Sequence, residues 1–221
     1  LKDMYQLTKL VKEEYPDLPY YLLGHSMGSF YARQYLGRYG DQLSAAIIMG
    51  TGFEPAAKIK GAMLLCKVIA AFKGWKYRSS FVNQAAFGSY NKKFEPVRTT
   101  ADWMTKEEKI VDAYLNEPRN TFVFTLNGFY SMFTGIVALH DEKLLNNVPK
   151  DLPLLFVSGE DDPVGSFGKE VKASVDSLKN VGVHHIDMKL YPGDRHEILN
   201  ELDKQQVYED LLYWLENRKL R

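Results

Sequence analysis

The chain has 221 residues, 45% of them hydrophobic and 25% charged, with Lys+Arg and Asp+Glu balanced at 28 each. These values fit a soluble globular protein of one domain, or one domain carrying an insertion, and argue against a basic nucleic-acid-binding face or an acidic partner. A single cysteine, Cys66, excludes an intramolecular disulfide and a cysteine-based zinc site. Its setting, Met63-Leu64-Leu65-Cys66, reads as buried packing. The longest nearly apolar run, residues 62–72, is broken by Lys67 and is too short to span a bilayer. With no signal peptide apparent, a cytoplasmic enzyme without stable membrane insertion is the expectation.

Residues 4–14 predict an amphipathic helix, with Met4, Leu7, Leu10 and Val11 at helical spacing. Pro16 and Pro19 end it and lead into a short apolar strand at 20–23. Directly after that strand comes Gly24-His25-Ser26-Met27-Gly28, and then the helix-forming run Phe30-Tyr31-Ala32-Arg33-Gln34-Tyr35-Leu36. Strand, glycine-flanked serine, helix is the context a nucleophile elbow requires. So tight a turn holds the serine in a strained conformation and asks Gly24 and Gly28 to be small. It also aims the unpaired N–H groups of the helix N-terminus at the serine hydroxyl. The bland alternative is a strand-to-helix turn whose serine caps the helix. Residues 44–49 form the next buried strand, so the chain begins as strand–helix–strand, the mark of a parallel sheet.

Between about 54 and 147 no comparable strand appears. Helices are predicted at 56–72, at 106–115 with Thr105 as N-cap, and within 120–139, where Phe122-Val123-Phe124 reads equally as strand. This block is expected to be a helical cap inserted over the sheet. Its Phe72, Trp75, Trp103, Phe122, Phe124, Phe129, Tyr130 and Phe133 are candidates to line an acyl pocket, against the simpler reading that each packs the cap. The expected organisation is α/β core 1–53, cap 54–147, core 148–221.

Alternation resumes with a strand at 154–158, a helix at 169–180, a half-buried strand in which Ile186, Met188 and Leu190 alternate with Asp187 and Lys189, and a final helix at 202–217. That helix should pack through Val207, Leu211, Leu212, Trp214 and Leu215.

A serine hydroxyl needs a base, and the base needs a carboxylate to fix its tautomer. In a parallel sheet both belong on loops at the carboxyl ends of later strands. Of the five histidines, His25 sits inside the elbow and should face away, His140 closes a cap segment, and His184 and His185 enter the last strand from its wrong end. His196 follows that strand, in a loop opened by Gly193. For the acid, Asp161 and Asp162 compete. Pro163 restricts the backbone of Asp162 and favours it, while Asp194 reads as a turn residue.

The segments Gly24-His25-Ser26-Met27-Gly28-Ser29, Ser158-Gly159-Glu160-Asp161-Asp162-Pro163-Val164-Gly165 and Gly193-Asp194-Arg195-His196-Glu197-Ile198-Leu199-Asn200-Glu201 carry a resemblance over nearly the whole chain. Together they resemble the bacterial lysophospholipase and monoacylglycerol-lipase-like branch of the α/β-hydrolases, the group often labelled serine aminopeptidase S33. Arg98-Thr99-Thr100-Ala101-Asp102-Trp103 and Phe122-Val123-Phe124-Thr125 also look like that branch. The resemblance implies an α/β-hydrolase fold with Ser26 as nucleophile, Asp162 as acid, His196 as base and the Met27 backbone N–H as one oxyanion donor. It implies hydrolysis of small-molecule acyl esters without metal or organic cofactor. An aminopeptidase, or a non-catalytic binding protein on the same fold, are the alternatives. An aminopeptidase needs an acidic anchor for a free amine, with Glu95, Asp102, Glu107 and Glu108 as candidates. In the family the second oxyanion donor lies in a loop upstream of the elbow, so an N-terminal segment of roughly 80 to 100 further residues is expected to carry it and to complete the sheet.

Overall fold

The computed structural model describes residues 1–217. Four parallel strands form one sheet in the order β1 (Tyr21–His25), β2 (Ala45–Met49), β3 (Leu154–Gly159), β4 (Ile186–Tyr191). The register pairs Leu23 with Ile47, Ile48 with Phe156 and Phe156 with Met188. Helices α1 (Lys2–Glu14) and α2 (Met27–Tyr39) flank β1 in the chain. Between β2 and β3 come α3 (Ala56–Lys73), α4 (Ser80–Phe87), α5 (Glu108–Asn116), α6 (Leu126–Ala138) and α7 (Glu142–Asn146), with no strand among them. α8 (Lys169–Lys179) crosses from β3 to β4, and α9 (Lys204–Glu216) follows.

The pleat splits the sheet's side chains between two apolar layers. Ala46, Ile48, Leu154 and Phe156 pack with Tyr35 and Leu36 of α2 and Val171 and Val175 of α8. On the other face Ile47, Met49, Leu155 and Val157 meet Val207 and Leu211 of α9. Both faces of β2 and β3 are therefore covered, which is why these strands read as continuous apolar runs. Burying one such side chain stabilises the fold by about 1.5–3 kcal/mol. A third cluster joins α3 to α6 through Ile59, Cys66, Phe129 and Phe133. Cys66 is free and buried there, and burial pushes its thiol pKa up.

Several expectations change. β1 runs to His25 rather than ending at Leu23, which places Ser26 at the junction with α2. Leu7, Leu10 and Leu212 have helical spacing but lie 57–62% exposed. Helical periodicity alone did not show which side of these helices meets the sheet. The cap of α5 is Glu107, whose carboxylate accepts from Lys109 N, while Thr105 Oγ1 accepts from Glu107 N. Residues 120–125 are neither helix nor strand; Thr125 instead caps α6, its hydroxyl accepting from Gly128 N. α4 and α7 were not anticipated. Among the described residues β1 has a single strand neighbour, and its Leu23, on the α9 face, is 45% exposed.

Candidate active site

Ser26 sits between the end of β1 and the first turn of α2 with φ 53° and ψ −124°, a region L-residues avoid. Its N–H donates to Met49 O at 3.0 Å, tying the turn to the neighbouring strand. The closure depends on Gly24. A Cβ there would lie 2.5 Å from Gly28 O and 2.6 Å from Ala32 Cβ, so strand and helix could not approach. Gly28, expected to be equally constrained, faces open space.

Second-layer groups absent from the sequence reading hold the turn. Ser29 Oγ donates to Ser26 O at 2.5 Å and lies 2.8 Å from the Thr51 hydroxyl. Arg33, buried in α2, donates to Gly52 O at 2.9 Å and reaches Thr51 Oγ1 at 3.4 Å. Burial pulls the Arg33 pKa down to about 9, only partly countered by Glu170. Small hydroxyls and one arginine carry no pattern that distinguishes this role, so only the packing identifies it.

His196 and Asp162 come together from loops after β4 and β3. The histidine Nδ1 lies 2.9 Å from Asp162 Oδ2, with both side chains almost fully buried. The same Oδ2 accepts from Ser158 Oγ at 3.0 Å, and Oδ1 accepts from Val164 N at 2.8 Å. Held by three donors, the carboxylate has one orientation. Gly159 permits the approach: a Cβ there would stand 2.1 Å from Arg195 O and 2.2 Å from Asp194 O. Burial disfavours the charged imidazolium of His196, but the Asp162 charge and hydrogen bond, with Glu197, outweigh it and raise the pKa above the ordinary value. Its Nε2 is buried with no hydrogen-bond partner among the described residues.

The His196 ring lies against Gly50, where a Cβ would meet Cε1 at 3.0 Å; Ser26 N is bonded to the adjacent Met49. The serine and the imidazole thus flank the same strand end. Trp103 packs on the imidazole with ring centroids 5.1 Å apart. His25, expected to face away, instead lies 4.8 Å from the His196 ring, its Nε2 3.3 Å from His196 O. Burial, then the His196 charge, lowers its pKa.

Asp161 is separate from this cluster: it pairs with Lys93 at 2.5 Å. Asp194 is more than a turn residue. Fully buried, it binds Lys106 Nζ at 2.8 Å beside the buried Glu201, and burial raises its pKa to about 6 against the pull of Lys106. Lys106 N donates to Glu201 at 3.1 Å and Glu197 N donates to Met104 O at 2.7 Å, so residues 104–106 clasp the His196 loop. His140 Nε2 donates to Glu54 O at 2.9 Å and its ring stacks on Phe53, away from His196; His184 and His185 directly precede β4.

A cavity of about 660 Å³ opens over Ser26 and Met27. Trp103, Phe122, Phe124 and Phe133 line it as expected, joined by Phe30, Phe87 and Tyr90. Phe72, Trp75, Phe129 and Tyr130 do not; Phe72 is 84% exposed and Phe129 is core. Glu54, 2.6 Å from Lys58, is the one carboxylate in the lining among the described residues. The expected anchors for an amine are elsewhere: Asp102 accepts from Arg98 N and Thr99 N, Glu107 caps α5, Glu108 lies near Arg98, and Glu95 is exposed.

Residues 1–203 match the family described as Serine aminopeptidase, S33. The chain is 26% identical over 219 residues to a monoacylglycerol lipase of Mycolicibacterium smegmatis, covering 97% of this chain and 68% of that protein. Its fold superposes on a thermostable carboxyl esterase from Bacillus coagulans, solved with glycerol, with TM-score 0.87 and 31% identity over 98% of this chain and 70% of the other. A soluble variant of monoglyceride lipase from Saccharomyces cerevisiae, with a substrate analog bound, shares the fold at TM-score 0.67 and 19% identity, over 98% and 69% of the two chains. With its parallel sheet, strand-end serine and matching family pattern, the chain belongs to the serine aminopeptidase S33 family of α/β-hydrolases.

Proposed function

We propose that the protein is a serine hydrolase of monoacylglycerol-lipase or lysophospholipase type, cleaving carboxylic esters with an acyl chain through an acyl-enzyme. That it is an ester-hydrolysing enzyme rests on the esterase and lipase relatives. The observation that carries the mechanism is the buried His196–Asp162 pair at 2.9 Å, whose Nε2 has no hydrogen-bond partner among the described residues, while the strained Ser26 is tied to the same strand end that His196 lies against.

In this reading Ser26 Oγ attacks the ester carbonyl carbon while His196 Nε2 takes its proton. Asp162 keeps the imidazole in the Nδ1–H tautomer and stabilises the imidazolium that forms. The Met27 N–H, at the first turn of α2, faces the oxyanion. His196 then protonates the departing alcohol, and water, activated by the same nitrogen, releases the acid. No metal or organic cofactor has a step in this scheme. Residues 54–147 act as the cap whose apolar lining receives the acyl chain. An ester is favoured over an amino-terminal peptide because the lining offers no free carboxylate to hold an ammonium group.

The open edge of β1 and the exposure of Leu23 support a further part of the proposal: additional strands of the same polypeptide pair there and bring the second oxyanion donor. The mass of the protein isolated from its natural source, compared with 25.4 kDa for these residues, tests this. The nucleophile is tested by a fluorophosphonate probe. Ser26→Ala is expected to lose both labelling and esterase turnover, and labelling that persists would place the nucleophile elsewhere.

A further inference from the structure

The loop that carries His196 is held from two sides. On the sheet side Gly159 lets it lie close against the end of β3, and Asp161 N donates to Asp194 O at 2.8 Å. On the far side the holder is residues 102–106, from the segment between α4 and α5. Glu197 N donates to Met104 O at 2.7 Å, Thr105 Oγ1 donates to Asn200 O at 3.2 Å, and Lys106 N donates to Glu201 Oε2 at 3.1 Å. Arg195 reaches back from the loop, donating to Asp102 O and packing over the Phe94 ring, 4.2 Å from its centroid. Trp103, within this stretch, is the residue that rests on the His196 imidazole.

A single ammonium group ties the two segments by charge. Asp194 and Glu201, on either side of His196 in sequence, are both fully buried. Buried carboxylates need a counter-charge or a full set of donors. Glu201 has two backbone donors, Arg195 N at 2.9 Å and Lys106 N at 3.1 Å. The Asp194 carboxylate depends on Lys106 Nζ, 2.8 Å from Oδ1; its Oδ2 has no hydrogen-bond partner among the described residues. The same ammonium stands 4.0 Å from Glu201. Burial already lifts the Asp194 pKa to about 6 with Lys106 in place. Without the ammonium this carboxyl either keeps a buried charge that nothing balances or takes up a proton, and in both cases the tie is gone. Lys106 is not among the residues lining the cavity over Ser26, so it bears on the reaction only through the loop it holds.

We propose that Lys106 is a positioning residue for the base: by binding Asp194 and Glu201 it fixes the Trp103 segment to the His196 loop and so keeps the imidazole aligned with Asp162. Any effect on rate rests on the proposed ester hydrolysis, whereas the state of the His196–Asp162 bond is read without turnover.

The test uses the full-length protein and the variants K106M, K106R and K106M/D194N. The proton between His196 Nδ1 and Asp162 gives a far-downfield proton NMR signal that reports this bond directly. In K106M the signal should shift or broaden, and kcat for a nitrophenyl ester should fall about a hundredfold with KM little changed, as when a reacting group is misplaced by about an ångström. K106R keeps a charged donor and should restore the signal, with kcat within about fivefold of wild type, the remaining loss reflecting a planar fork in place of a point charge. K106M/D194N leaves no uncompensated charge at residue 194, so the melting temperature lost in K106M should return. Its kcat and signal should not, because the two segments are still untied. If K106M does not fold, this double variant carries the comparison. Recovery of kcat along with melting temperature in the double variant would reduce Lys106 to charge balance within the fold and overturn the proposal. An unchanged signal in K106M overturns it whatever the rate does. A wild-type protein that shows the signal but cleaves no ester would instead refute the proposed function, and Lys106 would still be judged by the signal.

Discussion

Asp162→Asn separates the two neighbouring aspartates and tests the geometry around His196. Asn is nearly isosteric, and its carbonyl can keep the 2.8 Å bond from Val164 N. Its amide then replaces Oδ2, the atom that accepts from both Ser158 Oγ and His196 Nδ1. The serine hydroxyl can rotate and become an acceptor, so the fold suffers little. The imidazole has no such freedom. With an N–H donor at Nδ1, its proton moves to Nε2, and the nitrogen that should take the Ser26 proton no longer accepts one. The charge that stabilises imidazolium is lost as well. A loss of about 10⁴ in kcat is expected, equal to about 5.4 kcal/mol of transition-state stabilisation, with KM little changed. Asp161→Asn breaks only the partly exposed pair with Lys93 and should leave kcat within about twofold, in keeping with a pair worth about 0–1 kcal/mol. The assay is initial-rate hydrolysis of a nitrophenyl ester, with far-ultraviolet circular dichroism as the folding control. A well-folded Asp162→Asn enzyme keeping a tenth of wild-type kcat, or a crippled Asp161→Asn enzyme, would refute the assignment.

Three other outcomes follow from the same geometry. For an uncharged ester, kcat/KM should rise with pH through a midpoint above the ordinary histidine value of about 6.5, because Nε2 accepts a proton only when neutral and Asp162 and Glu197 hold the proton on; a midpoint below 6 contradicts this, and the profile is read from initial rates across pH. Gly24→Ala should cost about 1–3 kcal/mol, since its Cβ meets Gly28 O and Ala32 Cβ at 2.5 and 2.6 Å, whereas Gly28→Ala meets nothing; equal melting temperatures for the two would show that the elbow is not close-packed. Ester specificity should rise up to about fourfold per methylene from acetate toward octanoate as chains fill the apolar cavity, at about 0.8 kcal/mol each, and a flat series in kcat/KM would remove the acyl pocket.

Much of the site was legible because its parts are local. A strand, two glycines and a serine within a few residues state their geometry, and Ser26 does take the strained backbone such a turn imposes. Pro163 beside Asp162 and the glycine loop before His196 carried enough backbone constraint to choose between candidates, and the two side chains do meet. The order of the four strands also followed from periodicity, since buried parallel strands are short unbroken apolar runs.

Other features depend on which surfaces meet, and a linear pattern holds no record of that. Leu7, Leu10 and Leu212 share the spacing of packed residues yet face outward. His25 comes beside His196 because β1 continues to residue 25 and turns its ring toward the later loop. Phe122-Val123-Phe124 has strand-like residues, but among the described residues no strand lies alongside to take its backbone hydrogen bonds, and the segment becomes an irregular wall of the cavity. Lys106 meets the buried Asp194 and Glu201, remote in sequence, only once residues 104–106 close on the His196 loop. Net charge summed to zero and suggested no charged face; the fold exposed the lysines along α3 while its carboxylates lay elsewhere. The sequence by itself determined the strands, the longer helices and the strained turn at Ser26, because these are set by neighbours along the chain. Packing decided which faces are buried, which charges are paired and which side chains share the cavity, because those contacts join residues that only the folded sheet brings together.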